Sequence, residues 1–237
     1  MINARLSLLL SYLAMVSAAC APASAPQKDA TRETVVLLHG MGRSRASLWM
    51  LEHRLKSAGY DTLNFPYVPQ WNSVDEVTRG LHAYVAGKVR TKRYHLIGHS
   101  LGNIIIRNGF KEGYPPGLGR IVMLAPPNQP AALAKRFRDQ PLYRLFTGDS
   151  GRKLASEAFY KQLPVPSVPF GIIAGDKGQH LTFNEANDGV VTVASTKLEG
   201  MQDWIVVHHT HTFMMNSRDT AEYCVNFLKT GRWQRTR

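Results

Sequence analysis

The run Tyr94-His95-Leu96-Ile97-Gly98-His99-Ser100-Leu101-Gly102-Asn103 narrows what this chain can fold into more than any other. A short apolar stretch ends in Gly-His-Ser-Leu-Gly and passes directly into Asn103-Ile104-Ile105-Ile106-Arg107, which reads as helix. This is G-x-S-x-G at a strand-to-helix turn. Backbone in so sharp a turn is strained, and side chains two positions to either side would collide with the crossing chain. Glycines at 98 and 102 remove those collisions. The turn then holds the Ser100 hydroxyl out over a sheet. It also sets the Leu101 N–H at a helix N-terminus, where it can stabilise developing negative charge.

Other segments supply the partners such a serine needs. Thr34-Val35-Val36-Leu37-Leu38 reads as a buried strand running into His39-Gly40-Met41-Gly42. Acyl transfer needs a second N–H donor opposite the first, and Met41 is placed to provide it. A serine hydroxyl is a poor nucleophile at neutral pH without a base, and the base needs a group to orient it. After Ser100 come Asn187-Asp188-Gly189-Val190-Val191, beyond the apolar run from Phe170 to Ala174, and then His208-His209-Thr210-His211-Thr212 behind the strand-like Trp204-Ile205-Val206-Val207. The chain order is serine, acid, histidine.

With these residues the chain resembles the α/β-hydrolase-fold serine esterases and lipases of the small bacterial, exported kind, over nearly everything from Thr34 to Phe227. The resemblance implies Ser100 as nucleophile, His211 as general base, Asp188 as orienting acid, and the Met41 and Leu101 amides as the oxyanion hole. Asp176, in Ala174-Gly175-Asp176-Lys177, follows its strand more closely and is a rival acid; the family's habit of placing the acid before an apolar pair favours Asp188. His211 is favoured over His209 because His-Thr-Phe-Met leads into the final helix, as the catalytic histidine does in similar enzymes. The expected activity is cleavage of carboxylic esters, on a small-molecule or lipid substrate, through an acyl-enzyme. Thioesterase, amidase or acyltransferase chemistry would use the same residues, and a non-catalytic binding protein on the same fold would be expected to lack one of them.

A metal site at His208, His209 and His211 is disfavoured. Neighbouring histidines on extended chain point in opposite directions, so only 209 and 211 share a face, and no Cys, Asp or Glu lies close in sequence to complete a site. His99 is held in the turn itself and reads as a neighbour that shapes the pocket. No cofactor motif occurs, and the chemistry requires none.

The length of 237 residues and 44% hydrophobic content suit one α/β domain over 31–237. Residues 1–25 read as a signal peptide and tether: Arg5, an apolar segment from Leu6 to Val16 too short to span a bilayer, then Ser17-Ala18-Ala19-Cys20. Cys20 resembles the lipidated cysteine of a bacterial lipoprotein, with Ser17 where that motif usually has leucine; cleavage after Ala23 or Ala25 is the alternative. The expected location is the bacterial cell envelope, in the periplasm or anchored to a membrane. Cys224, with apolar residues at helical spacing at 221, 225 and 228, reads as a buried structural thiol. The formal charge of +12 is dispersed and carries no nucleic-acid recognition motif, so anionic lipid or acidic envelope polymers are the more economical partners.

Periodicity elsewhere alternates strand and helix, which implies a mostly parallel central sheet with helices on both faces. A helix is expected through Leu48, Leu51 and Leu55 with Ser47 as its cap and Gly59 as its stop. Another follows the Ser73-x-x-Glu76 capping box, with 74, 77, 81, 84 and 85 on one face. Residues 126–164 are too long for a simple crossover and carry Phe137, Leu142, Tyr143, Leu145, Phe146, Phe159 and Tyr160. They are expected to form a short cap lining the acyl pocket at the strand C-terminal ends.

Overall fold

The computed structural model describes residues 32–69, 72–129, 156–179 and 184–233. The signal-peptide reading, with Cys20, lies outside the described residues, as does the cap segment between 130 and 155.

Among the described residues six strands form one sheet: β1 (Thr34–Leu38), β2 (Asp61–Asn64), β3 (Tyr94–His99), β4 (Leu118–Leu124), β5 (Phe170–Gly175) and β6 (Asp203–Val207). Their order is β2-β1-β3-β4-β5-β6, and every pairing is parallel. The chain runs from β1 outward to β2 and then back past β1 to β3. The order therefore reverses between β1 and β3, the switch point where ligands bind beyond the strand C-terminal ends of an open α/β sheet.

Two helical layers cover the sheet because alternate strand residues face opposite ways. Val36, Leu38, Leu96, Ile121, Met123 and Ile172 pack on one side with α2 (Val74–Lys88) and α3 (Leu101–Gly109). Val35, Leu37, Ile97, Val122, Leu124 and Ile173 pack on the other with α1 (Trp49–Ser57) and α5 (Arg218–Thr230). The short α4 (Glu157–Gln162) follows the undescribed stretch. Among the described residues no helix is long and apolar enough to cross a membrane.

Local signals act largely as read. Ser73 and Glu76 form a reciprocal capping box at the start of α2, worth about 1 kcal/mol. Gly59 stops α1 in the left-handed region at φ +96°. Ser47 does not cap α1: a 3₁₀ turn over Arg45–Leu48 precedes the helix, and the Ser47 hydroxyl donates back to the Ser44 carbonyl at 2.8 Å. Cys224 is fully buried in α5, and burial pushes its thiol pKa up.

Arg107 is 3% exposed on α3 and meets carbonyl oxygens rather than a carboxylate. Its guanidinium donates to Leu163 O at 2.9 Å, Pro164 O at 3.0 Å and Asn128 Oδ1 at 3.2 Å. One side chain thereby ties both described ends of residues 126–164 to the helix behind Ser100. Burial pushes its pKa down to about 10.

His39, His95 and His99 are buried, and burial lowers each pKa from the ordinary 6.5. Below about pH 6.5 the unfolded chain takes up protons that the native state refuses, so stability present above that pH is lost as pH falls. Tm is expected to be lower at pH 5.5 than at pH 7.5, by about 2–4 °C for each kcal/mol lost. Calorimetry at the two values checks this, and equal Tm values would refute it.

Candidate active site

Ser100 adopts φ 53° and ψ −119°, a region costing a non-glycine residue on the order of 1–3 kcal/mol. Serine at a helix N-terminus usually turns its hydroxyl back onto the first-turn amides. Ser100 makes no such cap. Its backbone is clamped instead: the N–H donates to Leu124 O at 3.0 Å, and the carbonyl accepts from the Asn103 N–H at 3.0 Å and Asn103 Nδ2 at 3.1 Å. Asn103 Nδ2 also donates to Leu124 O at 3.0 Å, tying the elbow to β4.

The glycines around the turn are required by contact with backbone. A Cβ on Gly102 would stand 2.6 Å from Leu38 O, and one on Gly98 would stand 2.9 Å from Asn103 N. On Gly40 it would come within 3.0 Å of His99 Nδ1 and 3.1 Å of Ser100 Cβ. The loop after β1 therefore lies directly against the elbow. Among the described residues outside regular helix and strand pairing, neither the Met41 nor the Leu101 N–H donates a backbone hydrogen bond.

Each histidine after β6 takes a different carboxylate. His208 Nδ1 meets Asp176 at 2.9 Å, His209 Nε2 meets Asp219 at 2.8 Å, and His211 Nδ1 meets Asp188 Oδ2 at 2.7 Å. Burial separates the three pairs. The side chains of His208 and Asp176 are 74% and 38% exposed and those of His209 and Asp219 29% and 48%, but those of His211 and Asp188 only 10% and 1%. A buried carboxylate that fixes an imidazole is the arrangement general-base catalysis needs.

Asp188 is itself held by the turn its sequence encodes. Gly189 sits at φ +99°, folding the Val190 and Val191 N–H groups back onto Asp188 Oδ1 at 2.9 and 2.7 Å. The remaining oxygen faces His211, and the His211 N–H donates to the Asp188 carbonyl at 2.9 Å. His211 Nδ1 must carry the hydrogen, because its partner only accepts; Nε2 is left as the basic nitrogen.

The structure also brings in residues that sequence reasoning did not select. His39 stacks on Tyr67 with ring centroids 4.1 Å apart, its ring nitrogens lie 2.9 Å from Gly40 O and 3.2 Å from Tyr67 O, and the Tyr67 hydroxyl donates to His39 O. Arg43 Nη2 donates to Thr212 O at 3.3 Å, joining the loop after β1 to the loop that carries His211. The His-Gly pair was a partial signal for the first of these; the second joins positions 169 residues apart and leaves no local pattern.

Comparison with known proteins agrees with this architecture. The sequence profile of the alpha/beta hydrolase family matches residues 35–224. No curated protein matches the chain. Among solved structures, the chain is similar to a lipase of Bacillus licheniformis in its mature form, with TM-score 0.68 and 16% identity over 90% of this chain and 95% of that one. An esterase of Exiguobacterium antarcticum gives TM-score 0.61 and 15% identity over 84% and 92% of the two chains. A lipase-esterase related protein of Clostridium acetobutylicum gives TM-score 0.57 and 16% identity over 82% and 94%.

Proposed function

This chain belongs to the alpha/beta hydrolase family, and from that premise we propose that it is a serine hydrolase cleaving carboxylic esters through an acyl-enzyme. One observation carries the reading: the buried His211–Asp188 pair sits at the same end of the sheet as a strained serine that is not used as a helix cap.

In this mechanism Ser100 Oγ attacks the ester carbonyl carbon while its proton passes to His211 Nε2. The imidazolium that forms keeps its Nδ1–H on Asp188. Charge on the tetrahedral oxygen is taken by the Met41 and Leu101 N–H groups. His211 then returns the proton to the departing alcohol as the C–O bond breaks. A water, deprotonated by the same nitrogen, hydrolyses the acyl-enzyme and restores Ser100. The substrate is a small-molecule or lipid ester. The protein acts in the cell envelope, held by a lipid on Cys20 and by attraction of its basic surface to anionic lipid.

Ser100→Ala is expected to lower turnover of nitrophenyl esters by on the order of 10⁴ to 10⁶ with Tm nearly unchanged, and to abolish labelling by a fluorophosphonate probe. Activity close to wild type in the purified variant would end the serine mechanism.

Asp188→Asn is expected to reduce kcat by about 10⁴, since the amide favours the wrong imidazole tautomer. Asp176→Asn, at an exposed pair, should change kcat by less than about tenfold. A larger loss from the Asp176 substitution would reassign the acid.

Cys20→Ala should move the protein from the membrane fraction to the soluble envelope fraction. A native mature N-terminus at Ser24 or Pro26, read by mass spectrometry, would refute the anchor.

A further inference from the structure

His99 is the last residue of β3 and lies directly behind the proposed base. It is 2% exposed, and its ring packs on that of His211 with centroids 4.7 Å apart and planes inclined at 47°. Its Nε2 stands 3.0 Å from the His211 carbonyl oxygen. A carbonyl only accepts, so Nε2 carries the hydrogen and donates it. Nδ1 has no hydrogen-bond partner among the described residues and faces Gly40, where a Cβ would come within 3.0 Å.

The His211 backbone is thus held at two places by different strands. Its N–H donates to the Asp188 carbonyl in the loop after β5, and its carbonyl accepts from His99 at the end of β3. Arg43 adds a third tie one residue later, at Thr212 O. The Asp188 contacts fix the rotation of the imidazole and relate it to β5. Among the described residues, His99 makes the hydrogen bond that relates it to the strand leading to Ser100.

We propose that His99 is a positioning residue, whose Nε2–H, donated to the His211 carbonyl oxygen, sets the separation of the His211 imidazole from Ser100. The inference rests on the proposed role of His211 as base. Burial pushes the His99 pKa well below the ordinary value, and the groups facing it, His211 after β6, Arg43 in the loop after β1 and His39 just after β1, add to this. The ring accordingly stays neutral, and the cationic imidazolium of the catalytic cycle is confined to His211.

The test uses His99→Gln, whose amide N–H reaches close to the place of Nε2, and His99→Leu, which keeps bulk without a donor. Kinetics on a short nitrophenyl ester should show kcat lowered about 10- to 100-fold in the leucine variant, with KM within about twofold of wild type. The glutamine variant should recover most of the loss. Should His99→Leu fail to fold, His99→Asn takes its place, because its amide is too short to reach the 211 carbonyl. The acid limb of kcat/KM against pH should fall with the slope of a single ionisation in both wild type and His99→Gln. Full activity in the donorless variant, or equal losses in leucine and glutamine variants of native Tm, would overturn the positioning role. A two-proton slope would overturn the neutral ring. Fluorophosphonate labelling of the wild type, absent in Ser100→Ala, is read in the same series: if it fails, the hydrolase reading fails, whereas labelling with unchanged His99→Leu kinetics removes only His99.

Discussion

Everything at the candidate site depends on how closely three stretches of backbone approach one another at Ser100. The end of β3, the first turn of α3 and the end of β1 meet with so little space that a single methyl at Gly102 would sit 2.6 Å from the Leu38 carbonyl oxygen. Close packing of main chain leaves no soft group to yield, so the requirement for glycine is steric rather than conformational. The strain at Ser100 persists because the surrounding hydrogen bonds over-determine it: Leu124 and Asn103 fix its amide and carbonyl between them. The hydroxyl makes no cap hydrogen bond to the helix it precedes.

The second half of the site is selected by burial. Three histidine–aspartate pairs of similar length follow β6, and distance alone would not rank them. In water a charge pair is weakened by screening and by the entropy of holding two side chains together. Only His211 and Asp188 exclude solvent, so only there does the carboxylate keep full hold of the ring. The Asp-Gly-Val-Val turn achieves this by supplying two backbone donors to one carboxylate oxygen and leaving the other for the imidazole.

The fold was legible in the sequence wherever a period or a turn residue had one physical solution. Continuous apolar runs such as Val35 to Leu38 and Phe170 to Ala174 became strands buried on both faces. The spacing of Val74, Val77, Leu81 and Val85 became the buried face of α2. The order of Ser100, Asp188 and His211 was legible because each follows its own apolar run, and parallel strands bring such positions to one edge. The start of α1 differs from the reading because Ser47 carries the right residue type one position before the helix's N-cap, Leu48, inside a 3₁₀ segment. Asn103, Arg43 and Tyr67 went unselected for another reason: they act by donating to main-chain carbonyls, and a carbonyl acceptor exists at every position, so it leaves no mark in the sequence.

The sheet order carries a consequence for how the site is lost. Among the described residues β6 lies at an edge and pairs only with β5, so its removal leaves β2, β1, β3, β4 and β5 still paired. Local opening of proteins proceeds through such peripheral units at less than the global cost. Ser100, the proposed nucleophile, follows a central strand and His211, the proposed base, follows an edge strand, so the two halves of the proposed centre belong to regions of different local stability. Fraying at β6 would silence the centre in a molecule whose spectroscopic signature of folding is almost intact. The ties from His99 and Arg43 run across that divide, binding the last-added edge of the sheet to its middle.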